Sequence, residues 1–170
     1  YGQHAFCMSL TPAALNDAAA VMLYAHPWVY DSHVVDTSLN NVNEVIAMQK
    51  KQGSMKTTVS AEWGDLTLFG KSSEFGQDML DALVAPALST SLASQSWLDT
   101  GGPLGGYCPA SGDNVVDIQS LQLPQSYIQL PQSHNGGVYV TQVDHSKWAV
   151  ANSTTANAWC ALDNNRVRSQ

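Results

Sequence analysis

The side chains able to do chemistry in this chain are few, and most stand alone or in pairs. Cys7 lies just ahead of a helix start at Thr11-Pro12, where a thiolate can gain from the helix N-terminus. His134-Asn135 precedes an apolar run and Asp144-His145 follows it. Together, Cys7 as nucleophile, His134 as base and Asp144 or Asn135 as orienting group would make a thiol hydrolase. A second set is His26, Asp31 and His33, two imidazoles and a carboxylate of the kind that bind zinc or iron. Its spacing brackets Pro27 and an extended Trp28-Val29-Tyr30, so it fits neither helical ligation nor a familiar ribbon. Carboxylate pairs for glycoside hydrolysis could come from Glu44, Glu62, Glu74, Asp65, Asp78, Asp81 or Asp144. Helix starts account for Glu44 and Glu74, and a turn accounts for Asp65.

The aromatic residues offer binding rather than catalysis. Trp28 and Tyr30 flank a proline-containing loop, and Tyr107 sits beside the glycine loop 101–106. Exposed rings of this kind stack on sugars or fill partner pockets. Trp63, Trp148 and Trp159 fall in apolar, strand-like stretches and are expected in the core. Three cysteines leave an odd one. Pairing Cys108 with Cys160 would close a loop of about fifty residues, worth roughly 4 kcal/mol in the chain-entropy model. The alternative is three buried, reduced thiols acting as small hydrophobes. Cys7, His134 and the orienting residue are similar to papain-like enzymes in their order along the chain. The residues around Cys7 carry no nucleophile signature.

These groups sit in an unusual composition. Of 170 residues, 44% are apolar but only 12% charged, about half the common fraction. Ser, Thr, Asn and Gln fill the difference, a pattern expected of secreted, surface or virion proteins. Seven basic residues against fourteen acidic ones give a formal charge of −7. The basic ones are scattered: Lys50, Lys51, Lys56, Lys71, Lys147, Arg166 and Arg168. Phosphate neutralisation along a nucleic acid calls for a dense basic face, so nucleic acid is excluded as an expected partner. No apolar run approaches a spanning helix, and membrane insertion is excluded as well. No cofactor motif is present, and the glycine loop lacks the Lys-Ser/Thr of a phosphate cradle. The opening at Tyr1 reads as processed or truncated. Asn152-Ser153-Thr154 matches the glycosylation pattern.

The elements that must position these residues follow from periodicity. Thr11 as N-cap and Pro12 at the first turn predict a helix stopped by Pro27, with Leu15, Ala18, Ala19, Met22 and His26 on one face. A second helix starts near Ser38 or Asn41, with Glu44 as capping-box partner, and ends at Gly53. Period-two alternation over 55–70 predicts a hairpin turning at Gly64-Asp65, with Trp63 opposite Leu66 and Ala61 opposite Leu68. A third helix opens at Ser72, is kinked or ended by Pro86, and its pattern continues through Leu88 and Leu92. Strands are expected at 115–123, 138–143, 146–150 and 158–162. The near-repeat Leu121–Ser126 and Ile128–Ser133 reads as short, proline-bearing edge segments.

Helices in the first hundred residues, a hairpin among them, and strands after that predict an α+β fold. The β-rich C-terminal third is expected as an antiparallel sheet. The whole chain, 1–170, reads as a single domain, with 101–106 as the candidate internal boundary. The last third, closed by Cys108 and Cys160, resembles the C-terminal disulfide-closed region of type IV pilins, though without that family's long apolar N-terminal helix. From these features the leading expectation is a non-enzymatic subunit or binding module of an extracellular, cell-surface or virion assembly. Its partners would be other protein subunits, copies of itself among them, with carbohydrate as a candidate ligand. The second expectation is a small secreted cysteine hydrolase.

Overall fold

The computed structural model describes residues 7–34, 36–96, 104–122, 138–140, 145–163 and 166. The fold is α+β, as its element order shows. The chain divides into two compact units, one over Phe6–Gly76 and the other over Gln77–Gln170. Each is described in turn.

The first unit is two helices and a hairpin. Helix α1 spans Pro12–Ala25. Thr11 Oγ1 accepts the Ala14 N–H at 3.2 Å, and Pro12 occupies the first turn, as expected of this cap. His26 ends the helix in the left-handed region, φ 53°, its N–H bonded to the Met22 carbonyl. The inward face is not the expected one: Ala19, Ala20, Val21 and Leu23 are buried, while Leu15 and Met22 are exposed. Small alanines let neighbouring chain approach closely, and helix α2 (Asn40–Ile46) does so. Asn41 of α2 donates its backbone and side-chain N–H groups to Asn16 of α1, at 2.9 and 3.0 Å. Asn41 is therefore spent between helices and caps nothing; α2 has no side-chain cap. It also ends at Ala47, well before Gly53, because Met48 turns left-handed at φ 52°.

Strands β1 (Ser54–Ala61) and β2 (Gly64–Lys71) form the expected hairpin. Its turn is Glu62-Trp63 rather than Gly64-Asp65, so Ala61 faces Gly64 and Val59 faces Leu66. Gly64, at φ 135°, supplies the backbone conformation that closes the ladder. The shift is by an even number of residues, so the inward face is unchanged and Val59 is buried. Trp63, however, leaves the core for the turn tip. Gly70 is required where β2 meets α1, since a Cβ there would lie 2.6 Å from the Val21 carbonyl oxygen.

The second unit carries the larger sheet. The expected long third helix is broken into pieces. A short 3-10 turn, Ser73–Phe75, ends at left-handed Gly76 and closes the first unit. A π-helical turn, Leu80–Val84, then runs into α3 (Ala85–Leu88). Pro86 has no N–H to donate to the preceding turn, and a wider turn ahead of it accommodates that loss. Ser89, at φ 50°, terminates α3. The Leu88/Leu92 spacing looked helical, but Leu92 opens strand β3 (Leu92–Gln95).

Strand β3 lies inside a four-stranded sheet of order β4-β3-β7-β8, with β4 at Val115–Asp117, β7 at Trp148–Ala151 and β8 at Trp159–Ala161. The β3–β4 pair is parallel; β3–β7 and β7–β8 are antiparallel. A separate antiparallel pair joins β5 (Ser120–Gln122) to β6 (Val138–Val140). Leu80, Val84 and Ala85 of the helical segment and Leu92, Val115 and Ala149 of the sheet are fully buried. Trp159, expected in the core, is exposed on β8. The second copy of the Leu-Pro-Gln-Ser near-repeat, and the first copy beyond Gln122, lie outside the described residues.

Candidate active site

Strand β7 begins one residue after Lys147, and the ladder to β8 continues past its last paired residue. The Leu162 N–H donates to the Lys147 carbonyl at 2.9 Å, so the backbone at Lys147 is held as extended strand. Alternation then sets His145 and Lys147, two residues apart, on one side of the chain. Lys147 is 7% exposed, and His145 and Ser146 are half-buried. The lysine side chain folds back on the histidine: Nζ lies 3.2 Å from His145 Nδ1 and donates to the His145 carbonyl at 2.8 Å. An ammonium has three donors and no lone pair. A charged Lys147 would therefore donate to Nδ1. A buried lysine beside an imidazole is a pairing able to meet a phosphate and move a proton.

A second buried charge cluster in the same unit is structural. Arg166, 3% exposed, donates Nε to Asp78 Oδ2 at 2.6 Å and Nη1 to Asp117 Oδ1 at 2.7 Å. Its Nη2 lies 2.5 Å from Asp78 Oδ2 and also reaches the Gly105 carbonyl at 3.4 Å. Burial alone would push the guanidinium down, but Asp78 and Asp117 outweigh it and raise it above its ordinary value. Asp78 also accepts the Leu80 N–H at 3.1 Å, and Ser94 Oγ donates to Asp117 at 3.4 Å. The cluster thus ties the start of the helical segment, β3 and β4 to one cation. Asp81, beside it, is pushed up by burial and by Asp78.

The residues singled out from sequence fare differently. Cys7 is an exposed free thiol, while His134, Asn135 and Asp144 lie outside the described residues. Cys108 and Cys160 are free thiols as well, so the expected bridge is not formed in this structure. Burial pushes the Cys160 thiol up. His26 is committed to the Lys51 carbonyl at 2.9 Å, and Asp31 and His33 are exposed. Among the described residues no three His, Cys, Asp or Glu side chains gather to hold a metal. The carboxylates have local partners: Glu44 has Lys51 at 3.3 Å, Asp65 has Ser60 at 2.6 Å, and Asp78 has Arg166. Trp28 and Tyr30 are 79% and 91% exposed, and Tyr107 is exposed too.

The pair the structure does assemble, His145 and Lys147, was missed. Lys147 had been counted among scattered basic residues and His145 read only as a neighbour of Asp144. The signal was present: a histidine and a lysine at i, i+2 leading into an apolar strand must share one face.

Comparison with known proteins bears on this pair. The profile of the family described as deoxyribonuclease II matches residues 1–170. Deoxyribonuclease-2-alpha of Sus scrofa is 27% identical over 98% of this chain and 44% of its own length. Deoxyribonuclease-2 of Caenorhabditis elegans is 27% identical over 100% of this chain and 44% of its own length. Plancitoxin-1 of Acanthaster planci is 23% identical over 99% of this chain and 46% of its own length. The chain thus spans less than half the length of these relatives. No solved structure matches it.

A whole-chain match to a nuclease family overturns the leading expectation of a non-enzymatic pilus or virion subunit, and the cysteine hydrolase with it. It equally overturns the exclusion of nucleic acid as a partner. The physical error was to equate acting on DNA with holding it tightly. Many phosphate contacts raise affinity, whereas catalysis needs charge only where the transition state develops it.

Proposed function

Taking as premise that this chain belongs to the deoxyribonuclease II family, we propose that it carries phosphodiester-cleaving residues acting on DNA, with His145 and Lys147 at the reacting phosphate. Lys147 neutralises a non-bridging oxygen as negative charge builds in the transition state. A water attacks phosphorus as the bond to the departing oxygen breaks, and His145 is the acid–base group that passes the water's proton to that oxygen. The observation that carries this reading is the 3.2 Å approach of Lys147 Nζ to His145 Nδ1, with Lys147 7% exposed. That contact orients the ring and keeps the lysine beside it. Trp28, Tyr30 and Tyr107 are candidate contact residues for DNA bases, because stacking needs exposed ring faces.

The setting we infer is outside the cytosol, either secreted or lumenal. The charge-poor, neutral-polar composition supports it, and Plancitoxin-1 bears the name of a toxin.

Lys147→Met tests the proposal, because methionine keeps much of the side chain's length while removing the ammonium and the bonds it donates to His145. Nicking of supercoiled plasmid by the full-length protein is expected to fall about 10²- to 10³-fold, the usual cost of one transition-state donor. Undiminished nicking would remove Lys147 from the site.

A further inference from the structure

Ser96 follows β3 directly and is 2% exposed, yet its Oγ has no hydrogen-bond partner among the described residues. Buried hydroxyls are nearly always satisfied, and one that is not calls for a physical reason. Its position supplies one. In the antiparallel pairing of β3 with β7, Gln95 stands opposite Trp148. One step further along the same register sets Ser96 opposite Lys147, whose backbone the Leu162 bond holds in strand geometry. Residues directly opposed across an antiparallel pair project to the same face, with Cβ atoms about 4.5–5.5 Å apart. The unsatisfied hydroxyl and the buried ammonium therefore share one face of the sheet, at the end that carries His145.

We propose that Ser96 is a third member of this site, a hydroxyl that donates to a non-bridging phosphate oxygen beside Lys147. This rests on the reading of His145 and Lys147 as a phosphodiester site. Among the described residues the hydroxyl has no partner in the free protein, and bound phosphate supplies an acceptor. A serine there for packing alone would behave otherwise, because removing its oxygen would leave ligand affinity untouched.

Inorganic phosphate is the probe, its dissociation constant read from the ring-proton shifts of His145 in the full-length protein. Ser96→Ala is expected to weaken phosphate binding about tenfold or more, as loss of a hydrogen bond to a charged group does. Ser96→Thr, which keeps the hydroxyl, should restore affinity to within about threefold of wild type. The unfolding midpoint of Ser96→Ala without phosphate should equal or exceed wild type. If Ser96→Ala binds phosphate as wild type does while Lys147→Met binds it weakly, Ser96 has no such role. If Lys147→Met also leaves binding unchanged, the phosphodiester reading itself fails and takes Ser96 with it.

Discussion

Replacing His145 with alanine is expected to lower DNA hydrolysis by about 10²- to 10⁴-fold, the range over which positioned acid–base groups act. The loss should appear in kcat, because the imidazole acts on an oxygen that becomes basic only as its bond to phosphorus breaks. KM should change little, since Lys147 and its charge remain. Added imidazole offers a sharper check: the truncated side chain was half-buried, so a small base can enter the space it leaves. Partial recovery with imidazole, and none in Lys147→Met, would separate proton transfer from charge neutralisation. A His145→Ala protein within about threefold of wild type would exclude the histidine from the chemistry, since even one modest acid–base contribution is larger.

The second large effect is on stability. Arg166→Met would leave Asp78 and Asp117 facing each other in the interior without their shared cation. Removing one partner of a buried ion pair costs about 3–5 kcal/mol, mostly because the remaining charge is stranded. For a chain of this size that corresponds to a fall of roughly 6–20 °C in unfolding midpoint. Adding Asp78→Asn and Asp117→Asn to Arg166→Met should recover much of the loss, because the stranded charges are then gone. Differential scanning calorimetry on these two variants and the wild type reads this directly. A midpoint for Arg166→Met within about 2 °C of wild type would mean that the cluster is dispensable to the fold. The cluster also holds β4 against β3, and β3 in turn pairs with β7. Activity is thus expected to become heat-sensitive in Arg166→Met before it is lost at low temperature.

Much of the fold could be read from the sequence wherever one local rule had no competitor. Thr11-Pro12 gave an unambiguous helix start, and alternation over Met55–Ala61 gave the buried face of the hairpin even though its turn moved by two residues. Where two rules competed, the reading failed. Leu88 and Leu92 share a helical spacing, but Ser89 adopts a left-handed conformation that no residue type there announces. Leu15 and Met22 are larger than Ala19 and Ala20, yet the small residues face inward because a close neighbour needs room. Trp63 and Trp159 were expected inside on hydrophobicity alone, and each lies where a turn or an outer strand exposes it.

The site was legible in part. His145 and Lys147 were both visible, separated by one residue ahead of an apolar run. Their pairing was overlooked because each was weighed by class: histidine as a companion of Asp144, lysine as one charge among seven. Ser96 could not have been found this way. Its partner strand comes from about fifty residues further on, and only the β3–β7 register brings the two together. The Arg166 cluster was hidden for the same reason, since its three members are drawn from distant parts of the chain.

The most direct measurement compares DNA hydrolysis by the full-length protein bearing His145→Ala, Lys147→Met, and both changes together. Because the ammonium acts on the same phosphate and also orients the imidazole, the two losses should not multiply. The expected result is a double variant slower than His145→Ala alone, yet about tenfold or more faster than the product of the two single effects. A double variant slowed by the full product of the single effects, or a single variant as active as wild type, would contradict a shared site.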